Sequence, residues 1–280
     1  NYTRAQVMSK YGTTSLAEHS QLEDTGDGQA TENATPSGAE GHTALARFLG
    51  ATPAPWLQAK VAQYSDGQQI TYPQALPSGP VILCSAQKTG VPLMACAVNN
   101  SPTGFRLALK DHAGIAVLGA WVQWLAVVPQ PWFQSGVAQY PTNAQINFSR
   151  ALPGTPLVLA NAQLNMTPRA AAATSVSGTS FTLKLLDQVG NPPASSWVQW
   201  IAFSLPKAFR GGVIASAGSQ QVTWTPPLPV GNVILCGAQK GGLPLLAAAI
   251  NNTPTDFGLR LLDVNGVSQS GASATWLAFT

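Results

Sequence analysis

Sliding the chain against itself by 76 positions brings three stretches into gapless register, and no other feature limits its fold so tightly. Trp124, Trp200 and Trp276 coincide, as do Phe105, Phe181 and Phe257, and Asp111, Asp187 and Asp263. Gln87, Gln163 and Gln239 fall together, and so do Pro92, Pro168 and Pro244. Agreement over two successive offsets marks a triplicated unit. The chain therefore divides into a leader, 1–56, and repeats at 57–131, 132–207 and 208–280.

Each copy reads as six short strands. In the first they are Gln58–Tyr64, Gln68–Tyr72, Val81–Gln87, Leu93–Asn99, Phe105–Lys110 and Ala120–Val128. The fifth alternates, with Phe105, Leu107 and Leu109 on one face and Arg106 and Lys110 on the other. The sixth sets Val122, Trp124 and Ala126 on one face, so Phe105, Trp124 and their counterparts Phe181, Trp200, Phe257 and Trp276 are expected in the cores. An Asp-x-x-Gly follows each fifth strand, at Asp111–Gly114, Asp187–Gly190 and Asp263–Gly266. Those three aspartates suit a turn in which the carboxylate caps its own backbone.

Six strands with one apolar face make a small two-layer sandwich, but 76 residues bury little surface on their own. Runs such as Val81–Cys84 and Val233–Cys236 are apolar at every position, which suggests strands covered on both faces. The expected fold class is all-β: three tandem six-stranded antiparallel β-sandwiches packed as a pseudo-threefold cluster. A cyclic arrangement lets like surfaces meet in closed form.

Outside the repeats, Thr25–Gly41 reads as a linker rich in small residues, and Thr43–Leu49 as a short helix ended by Pro53 and Pro55. The leader holds three bases and six acids, the repeats eleven bases and five acids. Those eleven are scattered, a weak signal for nucleic acid. The apolar stretch Gly114–Val128 is broken by Gln123 and too short for a bilayer of about 30 Å, so no membrane span is expected. Cys84 and Cys96 would face each other across a hairpin near Lys88–Val91 and could crosslink; the alternative is three buried thiols, Cys236 included.

Catalytic equipment is sparse. His19 and His42 lie in the leader, and His112 becomes Gln188 and Val264 in the other copies. No nucleophile elbow, metal-ligand spacing or phosphate-binding glycine loop occurs, so neither an enzyme nor a metal or other cofactor is expected. The recurring Gln87, Gln163 and Gln239 are either amides bonded to neighbouring backbone or ligand contacts. Asn99–Asn100 and Asn251–Asn252 enter a turn, and exposed asparagines can also bond sugar hydroxyls. Trp121 and Trp197, with Ser273 in the third copy, lie opposite the core tryptophans and are either sugar platforms or contacts between copies.

Thr103–Gly104–Phe105 and the closing Trp121–Val122–Gln123–Trp124–Leu125–Ala126, with Ser196–Ala202 and Thr275–Ala278, resemble the H-type lectins. The resemblance covers the second half of each copy and implies a six-stranded sandwich that trimerises and holds sugars near subunit boundaries. Carried over, the family's acidic residue after the third strand falls on Gln87–Lys88, Gln163–Leu164 and Gln239–Lys240, none of them acidic, and its fourth-strand arginine on Arg169; Asn99, Asn100, Asn251 and Asn252 join the candidate sugar ligands from the turns. Leu93 and Leu245 stand where an arginine is expected, and Leu118, Ala194 and Ser270 where an aromatic is. The implied function is a phage virion protein, in a tail fibre or baseplate, displayed at the virion surface. Its repeats would recognise host cell-surface glycans, and residues 1–56 would dock on other virion proteins. The alternatives are a purely structural capsid decoration, fibre or hub protein, and a secreted lectin.

Overall fold

In the computed structural model, residues 56–279 are described except 78, 131–132, 205–209 and 230. The expectations for the linker at Thr25–Gly41 and the helix at Thr43–Leu49 fall outside the described residues. Every described element is a strand. The first copy holds β1 (Leu57–Tyr64), β2 (Gln69–Thr71), β3 (Val81–Lys88), β4 (Val91–Ser101), β5 (Gly104–Lys110) and β6 (Ala120–Val127). The second holds β7 (Phe133–Tyr140), β8 (Gln145–Asn147), β9 (Leu157–Leu164), β10 (Thr167–Thr174), β11 (Ser180–Leu186) and β12 (Ser196–Phe203). The third holds β13 (Arg210–Ser216), β14 (Ser219–Thr223), β15 (Val233–Lys240), β16 (Leu243–Ile250), β17 (Asp256–Leu262) and β18 (Ala272–Phe279). Only residues 128–132 and 204–209 join one copy to the next.

All three sheets share one order, β1-β6-β3-β4-β5-β2 and its equivalents, antiparallel throughout. The fourth strand turns the sheet over on itself. Val91–Leu93 pair with β3, after which Met94–Val98 pair with β5, so β4 passes from one layer to the other. The β3–β4 hairpin is made by Thr89 and Gly90, both at positive φ (51° and 79°). Two left-handed residues match the twist of the flanking strands, as in a type I′ turn. Asn165–Met166 and Gly241–Gly242 repeat the geometry.

Inside each copy three aromatic rings lock the layers. Phe105 meets the edge of Trp124 at 5.6 Å, Phe181 that of Trp200 at 5.3 Å, and Phe257 that of Trp276 at 5.6 Å. Tyr72, Phe148 and Trp224, again 76 residues apart, complete the three clusters. Edge-to-face packing sets a positive ring edge on a negative face and adds about 1 kcal/mol to simple burial. After each fifth strand the aspartate closes its turn. Asp111 Oδ1 accepts from the Ala113 and Ile115 N–H groups at 3.0 and 2.8 Å, and Asp187 and Asp263 do the same for their own turns.

The faces turned away from these cores form a fourth core around the centre. Each copy contributes the same four positions: Val81, Leu83, Leu125 and Val127; Leu157, Leu159, Ile201 and Phe203; Val233, Leu235, Leu277 and Phe279. That accounts for runs apolar at every residue, since β3 and β6 are covered on both sides. Trp56, outside the repeat by sequence, belongs with it: its carbonyl accepts from the Val128 N–H at 2.8 Å and its ring packs on this centre. At one end the Asp-x-x-Gly turns close a ring. A Cβ on Gly114 would lie 3.5 Å from Gln188, on Gly190 3.3 Å from Val264, and on Gly266 3.0 Å from His112. Each turn thus touches the next copy in cyclic order, the pattern of a pseudo-threefold axis. With φ of 77°, 86° and 80°, those positions favour glycine twice over.

The cysteines depart from one expectation. The hairpin pairs Ala86 with Leu93 and Lys88 with Val91, and that register carries Cys84 opposite Ala95 rather than Cys96. Cys84 enters the sandwich core, whereas Cys96 turns to the other face beside Val98 and Ala108. All three thiols are free. Burial pushes the thiols of Cys84 and Cys236 far above the usual range; for Cys96 burial is again the main cause, helped by Cys84 and Asp66.

Two outcomes follow from the packing. Leu159→Ala empties part of the core shared by all copies, so it should cost about 2–5 kcal/mol and leave one cooperative transition in urea. Separate transitions would mean independent copies. The buried Cys84 and Cys96 should resist a thiol reagent until the chain unfolds. Because folding raises their pKa, the stability is full below about pH 8.5 and falls as the unfolded thiols ionise above it, which equilibrium unfolding against pH will read.

Candidate functional site

Among the described residues, four of the aspartates hold backbone or a lysine of their own copy, and further polar side chains gather where copies meet. Asp66 accepts from the Leu109 N–H at 2.8 Å and pairs with Lys110 at 2.9 Å. Asp111, Asp187 and Asp263 hold turns. Among the described residues no three of His, Cys, Asp and Glu gather as metal ligands, and no helix is long and apolar enough to cross a membrane.

Two of the three boundaries are latched by one position of the sixth strand. Gln199 of β12 reaches the first copy, where its Oε1 accepts from the Ile82 N–H at 2.8 Å and from Asn100 Nδ2 at 2.7 Å. Its Nε2 donates to the Ala97 carbonyl at 3.1 Å. Gln123 of β6 repeats this on the third copy, accepting from the Ile234 N–H at 2.6 Å and from Asn252 Nδ2 at 3.1 Å. One strand over, Asn161 accepts from the Cys84 N–H, and Ser85 donates to the Ala247 carbonyl at 3.4 Å. Both glutamines are buried, and Gln199, bonded through its oxygen and its NH₂ alike, is specific to one docking geometry.

One step outward along the same face lies Trp121. The register sets it between Gln63 of β1 and Gln87 of β3, and Gln87 in turn faces Pro92. Trp197 stands likewise between Gln139 and Gln163, with Pro168 beyond. These indoles are 46% and 48% exposed, so they are rims of the boundary and not buried contacts between copies. The third copy offers Ser273 between Ala215 and Gln239.

The sequence-predicted residues divide between these settings. Gln87, Gln163 and Gln239 bond to their own hairpins, accepting from the Gly90, Met166 and Gly242 N–H groups at 2.8, 3.0 and 2.8 Å. Lys88 and Lys240 are exposed and donate to the Leu118 carbonyl and to Gln269. Asn99 and Asn251 are exposed at positive φ (54° and 53°), while Asn100 and Asn252 belong to the latches. Arg169 donates to Gln188 of its own copy, and its Nε is buried without a partner.

Within a copy these groups do not converge, because the glutamine hairpin and the asparagine turn cap opposite ends of β4. Across a boundary they approach. A Cβ on Gly90 of the first copy would lie 4.0 Å from Ile250, next to Asn251 of the third. The latch glutamines themselves were passed over in the sequence. A signal existed: Gln123 and Gln199 interrupt a face otherwise made of Leu125, Val127, Ile201 and Phe203.

Removing a latch leaves a buried backbone N–H without its acceptor. Gln199→Ala strands the Ile82 N–H and Asn100, and should cost about 1–3 kcal/mol, measured by urea unfolding, with a smaller cost for Gln139→Ala on the exposed face.

No protein-family model matches the chain, and neither does any curated protein or solved structure.

Proposed function

We propose that this chain is a non-enzymatic virion protein of a bacteriophage, a component of a tail fibre or baseplate, whose lectin-like repeats read host surface glycans. The observation that carries the reading is the pair of half-exposed indoles, Trp121 and Trp197, each framed in register by glutamines at a boundary between copies. An indole face covers the apolar side of a sugar ring, and flanking carboxamides donate to and accept from its hydroxyls. Lys88, Asn99 and Asn251 stand exposed near these rims. Engagement of Asp111, Asp187 and Asp263 in turns, and of Asp66 with Lys110, supports binding over chemistry in the repeats. Two such rims on one chain, repeated over several chains, gain by avidity over a weak single site, by roughly 10²–10⁴.

One feature favours a purely structural hub instead. Ile115, Leu118, Val189 and Val267 are exposed around the end where the Asp-x-x-Gly turns meet, an apolar rim suited to docking on another virion chain.

A glycan array decides between them. The intact chain should retain a subset of glycans, and Trp121→Ala and Trp197→Ala should each weaken that binding about tenfold or more without changing the fold. Retention of no glycan by the intact chain sinks the first reading. Binding unaffected by either substitution sinks the role of the indoles.

A further inference from the structure

Three boundaries are built from equivalent positions, yet one has been emptied. Where the third copy meets the second, Thr275 replaces Gln123 and Gln199, and Val176 replaces Asn100 and Asn252. Gly237 stands for Ser85 and Asn161, and Ser273 for Trp121 and Trp197. Every change shortens a side chain or deletes its amide, and all four of these residues line a cleft of about 300 Å³. That is the lower end of the range for small-molecule sites. The whole lining is uncharged, chiefly alanine, valine, threonine and serine, with one amide, Gln239, whose oxygen is taken by the Gly242 N–H of its own hairpin, so it disfavours an ionised ligand.

The two filled boundaries tell what the cleft lacks. Gln199 lies where β3 and β4 have parted, taking the Ile82 N–H with its oxygen and giving its NH₂ to the Ala97 carbonyl. Its carboxamide stands in for the peptide group of an intervening strand. The second copy repeats the register: Val158 faces Ala202 as Ile82 faces Ala126, and Ala173 faces Leu183 as Ala97 faces Leu107. The Val158 N–H and the Ala173 carbonyl therefore turn into the cleft, which both residues line. Thr275 makes no bond to either. The Ala160 N–H is matched to that of Cys84, which Asn161 satisfies, but Gly237 has no side chain to offer. Val158 is only 5% exposed, and a buried N–H calls for an acceptor.

We propose that this cleft binds an uncharged ligand through a primary carboxamide, whose oxygen accepts from the Val158 N–H while its NH₂ donates to the Ala173 carbonyl. Beside it, the space that an indole takes at the other boundaries lies open over Ser273 and admits a flat ring. The carboxamide belongs either to a small molecule or to a glutamine side chain of another polypeptide; the recognition is the same. The site is independent of whether Trp121 and Trp197 read glycans.

Titration of the ¹⁵N-labelled intact chain tests it, with the amide resonances of Val158 and Ala160 as the readout. The probes are nicotinamide, a capped glutamine-containing peptide, and nicotinate as the charged isostere. Saturable shifts with an amide probe, absent with nicotinate, are expected. Response to nicotinamide alone marks a small-molecule site, and response to the peptide alone marks a polypeptide partner. Thr275→Gln supplies the missing group from within, so it should abolish the shifts and raise the melting temperature. Ser273→Trp, which closes the ring space, is the second variant should Thr275→Gln fail to fold. The proposal is overturned by no saturable shift with either amide, by equal response to nicotinate, or by shifts that survive in every folded variant.

Discussion

Strands β3, β9 and β15 are apolar on both sides, and a single sheet folded over itself can cover only one of them. The inner side closes on the Phe–Trp pair of its own copy. The outer side has no partner within 76 residues and finds one only in the other two copies. Much else follows from that shortage: the central core, the cyclic contacts of the Asp-x-x-Gly turns, and the concentration of buried amides at the boundaries. Apolar burial supplies the attraction but is indifferent to direction. Gln123 and Gln199 fix the docking geometry, since a slip of either strand would strand a buried amide.

Linking the copies in one chain frees each boundary to change by itself. In a trimer of identical chains, replacing the latch glutamine would alter three interfaces together. Here Thr275, Val176, Gly237 and Ser273 alter one while two keep their bonds. The central core tolerates this because Leu159, Leu235 and Leu277 still meet beneath the altered boundary. Specialisation has taken place at the rim, and stability has been left with the centre.

The strands were legible because period-two alternation and turn residues repeat three times, so chance patterns in one copy are exposed by the other two. Six strands per copy, the two-layer form and the doubly covered β3 all follow from such local signals. The residues offered as sugar ligands were less legible. Gln87, Gln163 and Gln239 recur because each caps a hairpin, and recurrence does not distinguish a turn cap from a binding group. Asn100 and Asn252 have partners more than ninety residues away, on other copies, and no local pattern encodes them. Cys96 was set opposite Cys84 by a shift of one residue, enough to exchange the faces of a strand.

The connections of five and six residues between copies have a consequence for the molecule in dilute solution. An oligomer held by the same surfaces would come apart as its concentration fell, whereas here each segment keeps its neighbours at an effective concentration on the order of millimolar. Closure of the ring is first order, indifferent to how scarce the protein is, and cannot admit a stray subunit or stop at two. Three copies to one ring is a ratio written into the polypeptide.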